Sequence, residues 1–205
     1  MCWALRTRMR RLVVPSILLA LAGCSAGGPS SAGPSTKVAT SVSPSISSSS
    51  SPQTFESSRH GYRVEVPPRW HVVQYEGTWT KLDQFGPGIE VPGEDVVSPL
   101  DLSSFLVVNS MKIPKGMTAA GWQAAFDALV AAGADPNCPG TARTDVLAGE
   151  PAKVLEQHCE GSVLIGRSLT HAGRGYYFTI RFPANDAATK ATLDGIVASI
   201  QFTSP

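Results

Sequence analysis

Tyr176-Tyr177-Phe178-Thr179-Ile180-Arg181-Phe182 is the stretch on which the fold turns. Tyr176, Phe178, Ile180 and Phe182 take alternate positions, with Tyr177, Thr179 and Arg181 between them. Successive strand side chains point to opposite faces, so this period of two predicts a strand with one face in an apolar core. Downstream, Asn185 or Asp186 opens a helix whose stripe is Leu193, Ile196, Val197 and Ile200, and a short strand follows at Gln201-Phe202-Thr203. Upstream, Tyr62, Val64 and Val66 alternate with Arg63 and Glu65, and further strands are predicted at 71–81, 104–112, 142–148, 152–159 and 163–171. Short turns such as Cys159-Glu160-Gly161-Ser162 and Ala172-Gly173-Arg174-Gly175 suit antiparallel hairpins. A first helix starts at Thr118 as N-cap and ends near Gly133, with Trp122, Phe126, Leu129 and Val130 on one face. An antiparallel sheet sandwiched by two helices, an α+β domain, accounts for this order.

The chain of 205 residues has unlike ends. Residues 1–23 carry Arg6, Arg8, Arg10 and Arg11 and no acid, and Leu12 to Cys24 is uncharged with Ile17, Leu18, Leu19 and Leu21 at its centre. A basic start before a short apolar run is an export signal, too short to span a bilayer, which takes about 20 apolar residues. Met9-Arg10-Arg11 would itself make a normal signal start, so translation from Met1 or Met9 stays open. Residues 25–52 hold 12 serines and a single charge, Lys37. Such a segment cannot bury enough apolar surface to order itself. As a flexible coil it would span roughly 30 Å on average. The expected organisation is a signal at 1–23, a linker from 24 to 52 and one globular domain at 53–205. From Gln53 onward there are 12 Lys and Arg against 16 Asp and Glu. Without a basic surplus to neutralise phosphates, nucleic acid is not an expected partner.

Two resemblances sharpen this. Leu21-Ala22-Gly23-Cys24 resembles the lipobox of bacterial lipoproteins. That likeness implies cleavage before Cys24, a diacylglycerol on its sulfur, and a domain tethered to the outer face of the cell membrane. Three stretches of the domain together resemble the Mog1/PsbP-like fold, and within it the actinobacterial LpqN/LpqT-type lipoproteins. They are Gly61-Tyr62-Arg63-Val64-Glu65-Val66-Pro67-Pro68-Arg69-Trp70, then Gly149-Glu150-Pro151-Ala152, and the ending Ile196-Val197-Ala198-Ser199-Ile200-Gln201-Phe202. The first is expected to form an opening hairpin. The resemblance covers most of 53–203. It implies an antiparallel sheet between helices and a non-enzymatic envelope role, and it carries over no catalytic residues.

The chemistry in the domain is sparse. Cys138 and Cys159, 21 positions apart in an exported domain, read as a disulfide, the alternatives being free thiols or a metal site. His60, His71, His158 and His171 show no ligand spacing, and no metal or cofactor is expected. His60 is expected as a solvated turn residue. There is no GxSxG, SxxK or HExxH, so no catalytic residue is assigned. Trp70, Tyr75 and Trp79 either enter the core or line a groove. Residues 83–103, rich in Gly and Pro and acidic, read either as a solvated connection or as a partner surface with Trp79 and Phe85 as apolar anchors. The leading expectation is a non-catalytic envelope module that binds a protein, lipid or glycolipid partner. The rivals are a small envelope hydrolase and a structural subunit of an envelope assembly. A deep pocket with a buried acid–base pair would favour the hydrolase, and a shallow apolar patch near 83–103 would favour partner binding.

Overall fold

The computed structural model describes residues 51–85 and 91–203. The strands are β1 (Gln53–Ser57), β2 (Tyr62–Val66), β3 (Trp70–Gln74), β4 (Asp95–Pro99), β5 (Phe105–Lys112), β6 (Gly140–Leu147), β7 (Glu150–Cys159), β8 (Ser162–His171), β9 (Arg174–Pro183) and β10 (Gln201–Phe202). The helices are α1 (Ala119–Ala132) and α2 (Ala187–Ala198), with a short 3-10 turn at Leu82–Gln84. Seven strands form one antiparallel sheet in the order β3-β4-β5-β9-β8-β7-β6, and β1-β2-β10 form a second. Both helices start as their sequences predict. Thr118 Oγ1 accepts from the Gly121 amide at 3.0 Å, and Asp186 Oδ1 accepts from the Thr189 amide at 2.9 Å.

The run Tyr176–Phe182 lies in β9 at the centre of the large sheet, paired with β5 and β8. Its two registers fix what each sheet face carries. Tyr176, Phe178, Ile180 and Phe182 join a core of 20 buried residues to which all of β4 to β9 contribute, together with Tyr62, Val64 and Val66 of β2 and Leu193, Ile196, Val197 and Ile200 around α2. On the opposite face α1 lays Trp122 and Phe126 against Met111 and Trp79. Trp122 rests directly on the β9 backbone at Gly175, where an added Cβ would stand 2.1 Å from the indole. Only a glycine admits that approach.

The opening segment differs from the expected hairpin. β2 pairs with β1 and β10, not with β3. The turn Pro67–Trp70 closes with Trp70 N–H donating to the Pro67 carbonyl at 3.1 Å, and Arg69 takes φ of 69°. Two adjacent prolines cannot donate to a ladder, so the chain leaves one sheet there and enters the other. The strand expected over 71–81 stops at Gln74, and the stretch read as a connection contains β4. β4 is buried on both faces, so it shows no alternation by which to recognise it.

Candidate functional site

The lipobox residues Leu21, Ala22 and Gly23, and Cys24 itself, lie outside the described residues, as do 86–90 of the Gly- and Pro-rich stretch. Cys138 and Cys159 form a disulfide that ties the loop after α1 to the end of β7. Trp79 and Phe85 are not surface anchors. Trp79 is 2% exposed and packs edge-on against Trp122, with ring centroids 6.2 Å apart. Phe85 is half-buried, 4.8 Å from Phe126 and 5.1 Å from Tyr177. The two rings close the core under α1, because one helix leaves gaps on a sheet that wide. Trp70 is half-buried against the main core and Tyr75 is 52% exposed, so the three aromatics do not share a groove.

His60 is 3% exposed, not a solvated turn residue. Its Nε2 lies 2.7 Å from the Gly93 carbonyl, which only accepts, so Nε2 carries the proton. Nδ1 then accepts from the Ser110 hydroxyl at 2.8 Å. Arg174 donates from Nε and Nη2 to the same Ser110 oxygen at 3.2 and 2.7 Å. Asp95, fully buried, accepts from Tyr62 at 3.1 Å and Gln74 at 3.0 Å, and its Oδ1 is 3.9 Å from His60 Nε2. Burial pushes the His60 imidazole below its ordinary range, Arg174 and Arg59 push the same way, and Asp95 and the Gly93 carbonyl oppose them. Burial and Asp95 hold the Tyr62 phenol well above its usual range, so it stays a donor. These partners lie 21 to 64 positions apart in the chain, and no local sequence signal brings them together.

A sheet of seven strands at about 4.8 Å spacing is roughly 29 Å wide, against about 10 Å for a helix. The face under α1 is therefore open on both flanks. Toward β6 a cavity of about 390 Å³ is lined by Ala142, Leu155, Gly166 and Val130. Toward β3 a cavity of about 500 Å³ runs between Tyr75, Pro92, Val96, Leu102, Phe105 and Val107. Leu102 stands 55% exposed at its rim with φ of 53°. The Asp101 carboxylate holds the turn by accepting from the amide and hydroxyl of Ser103. A left-handed leucine costs about 1–2 kcal/mol, and here that geometry holds an apolar side chain out to solvent. A third cavity, about 320 Å³, lies beside His60, between Arg59, Lys112 and Arg174. Among the described residues, no three His, Cys, Asp or Glu side chains are grouped as metal ligands, and no helix is long and apolar enough to cross a membrane.

An antiparallel sheet with one helix on each face defines an α+β domain. Its architecture is similar to that of cyanobacterial PsbP (CyanoP) from Synechocystis sp. PCC 6803, with a TM-score of 0.51 and 18% identity over 75% of this chain and 93% of that one. Weaker likenesses are to LpqN, involved in cell envelope biogenesis of Mycobacterium tuberculosis (TM-score 0.44, 12% identity, 75% and 91% covered), and to a variant of Mog1 (0.41, 14%, 75% and 96%). The likeness to CyanoP is one of fold alone, and it makes the domain Mog1/PsbP-like in architecture. No protein-family model and no curated protein matches the sequence.

Proposed function

We infer that the protein is a cell-envelope module, tethered at the outer face of the membrane through an acylated Cys24, whose domain binds a protein or lipid partner without transforming it. The observation that supports this reading is the apolar groove between β3, β4 and β5. Tyr75 and Leu102 stand exposed at its rim over Val96, Phe105 and Val107. An apolar floor with exposed apolar side chains at its rim is a surface on which a partner can dock. Within this reading, the strand–proline–tryptophan order of Tyr62–Trp70 supports kinship with the actinobacterial LpqN/LpqT-type lipoproteins.

The combined variant Tyr75→Asp and Leu102→Asp should melt within a few degrees of wild type and lose the partners recovered by cross-linking in intact envelopes. Recovery of the same partners by the folded variant would exclude the groove. Cys24→Ser should abolish acylation, which mass spectrometry of membrane extracts reads directly. An unmodified wild-type Cys24 would remove the tether from the reading.

The hydrolase reading has one contact in its favour, the Ser110 hydroxyl on His60 Nδ1 backed by Asp95. Two features weigh against it. Ser110 is 2% exposed, and its oxygen already accepts twice from Arg174. An imidazole held below its ordinary range is also a weaker base than the chemistry favours. A fluorophosphonate probe should leave Ser110 unlabelled; labelling that disappears in Ser110→Ala would establish the hydrolase instead.

A further inference from the structure

Lys112 and Arg174 face each other directly across the β5–β9 ladder. Like charges in that position repel and weaken a sheet. The strand ends nonetheless bring a third cation to the same place, because Arg59, in the turn between β1 and β2, lines the same cavity. Among the described residues, no ion pair joins any of the three to a carboxylate. Their neutral partners hold two of them in place without cancelling their charge. Arg59 donates from Nη1 to the Tyr75 carbonyl, and Arg174 donates twice to Ser110. Thr78 and Thr80 add hydroxyls to the wall. The charge is local, since the domain from Gln53 onward carries 12 Lys and Arg against 16 Asp and Glu. The buried acid Asp95 stands behind the cavity wall, 3.9 Å from His60 Nε2, and accepts from Tyr62 and Gln74 and not from any of the three cations.

We propose that the cavity between Arg59, Lys112 and Arg174 is a binding site for a phosphoryl-type oxyanion, either free or carried on a lipid headgroup. At about 30 Å³ per water, its volume of about 320 Å³ holds roughly ten waters, enough for a phosphate group and a small substituent. Two anchored guanidiniums present N–H donors to oxygens that a lysine alone would meet only as a point charge. The bound anion relieves the repulsion between Lys112 and Arg174, so binding and stability are linked. This site is separate from the apolar groove, and the inference stands or falls without it.

The test uses the purified full chain with two probes, inorganic phosphate and monomeric dihexanoyl phosphatidylglycerol, read by calorimetry and by melting temperature. Saturable binding is expected, tighter for phosphate if the natural ligand is a free anion and tighter for the lipid if it is a headgroup. Arg174→Gln and Lys112→Gln should each weaken binding about tenfold, as expected for a lost charge-assisted hydrogen bond. Arg181→Gln, which removes an exposed cation elsewhere on β9, should bind as wild type. Lys112 is exposed and makes no side-chain hydrogen bond among the described residues, so Lys112→Gln should melt no lower than wild type without ligand and gain less from phosphate. The proposal is overturned if neither probe binds saturably, if Lys112→Gln and Arg174→Gln bind as wild type, or if Arg181→Gln weakens binding equally.

Discussion

One face of the large sheet is covered by α2 and the β1-β2-β10 sheet together, the other by α1 with the rings of Trp79 and Phe85. The first face and its cover hold 20 buried apolar residues, the second holds 5. On the α1 side the register runs Val73, Val96, Val107, Thr179, Gly166, Leu155, Ala142 across all seven strands. Val73 near one edge and Val146 at the other are exposed apolar residues on that side. The difference separates what holds the fold from what is free to meet something else. The covered face leaves a cavity at its rim, where Lys112 meets Arg174, whereas the half-covered face keeps two flanks whose apolar surface the fold does not consume.

The comparison can be broken by substitution. The largest effect is expected on the covered face. Phe178 is fully buried between the sheet and Tyr62, so Phe178→Ala should cost about 4 kcal/mol in urea unfolding. A loss under about 1 kcal/mol would mean that this core is loosely packed. Next comes the staple beside the half-covered face. Removing both Cys138 and Cys159 frees a 21-residue loop in the unfolded chain and should cost about 3 kcal/mol, measured against the oxidised wild type. Gly175→Ala adds volume where Trp122 touches the sheet, and should cost about 2 kcal/mol with a change in tryptophan fluorescence. An unchanged emission spectrum would show that Trp122 does not rest there.

A graded pH effect sharpens the contrast further. His60 is held below its ordinary range by burial, so the unfolded chain binds its proton first. Its contribution to stability is therefore complete above about pH 6.5 and is lost as pH falls below it. Melting temperatures from pH 8 to 5 should fall more steeply for wild type than for His60→Gln. Parallel curves would show that His60 titrates alike in both states.

The sequence made β2 and β9 legible because they alternate, and it made both helices legible through Thr118, Asp186 and their apolar stripes. The disulfide followed from an even pair of cysteines. The sequence did not show β4, whose two buried faces erase the alternation, or β1, whose exposed short run has little pattern. It left Trp79 open between the core and a partner surface and offered Phe85 as an anchor of the long Gly- and Pro-rich stretch, and the width of the sheet draws both rings under α1. His60 and its partners depend on strand pairings far apart in the chain. The opposition of Lys112 and Arg174 appears only once the β5–β9 register is known.

β1 and β10 lie on either side of β2, with Gln53 opposite Val66 and Phe202 opposite Tyr62. Two strand spacings sideways and four residues along place the outer ends of β1 and β10 roughly 16 Å apart. A bridge of about six residues could join them. The polypeptide could then be reopened at the two-residue turn Ala148-Gly149, which joins β6 to β7 at the far edge of the sheet. The permuted molecule would preserve every strand pairing described above, so the order in which the elements are strung together is a historical property of this domain and not a requirement of its architecture.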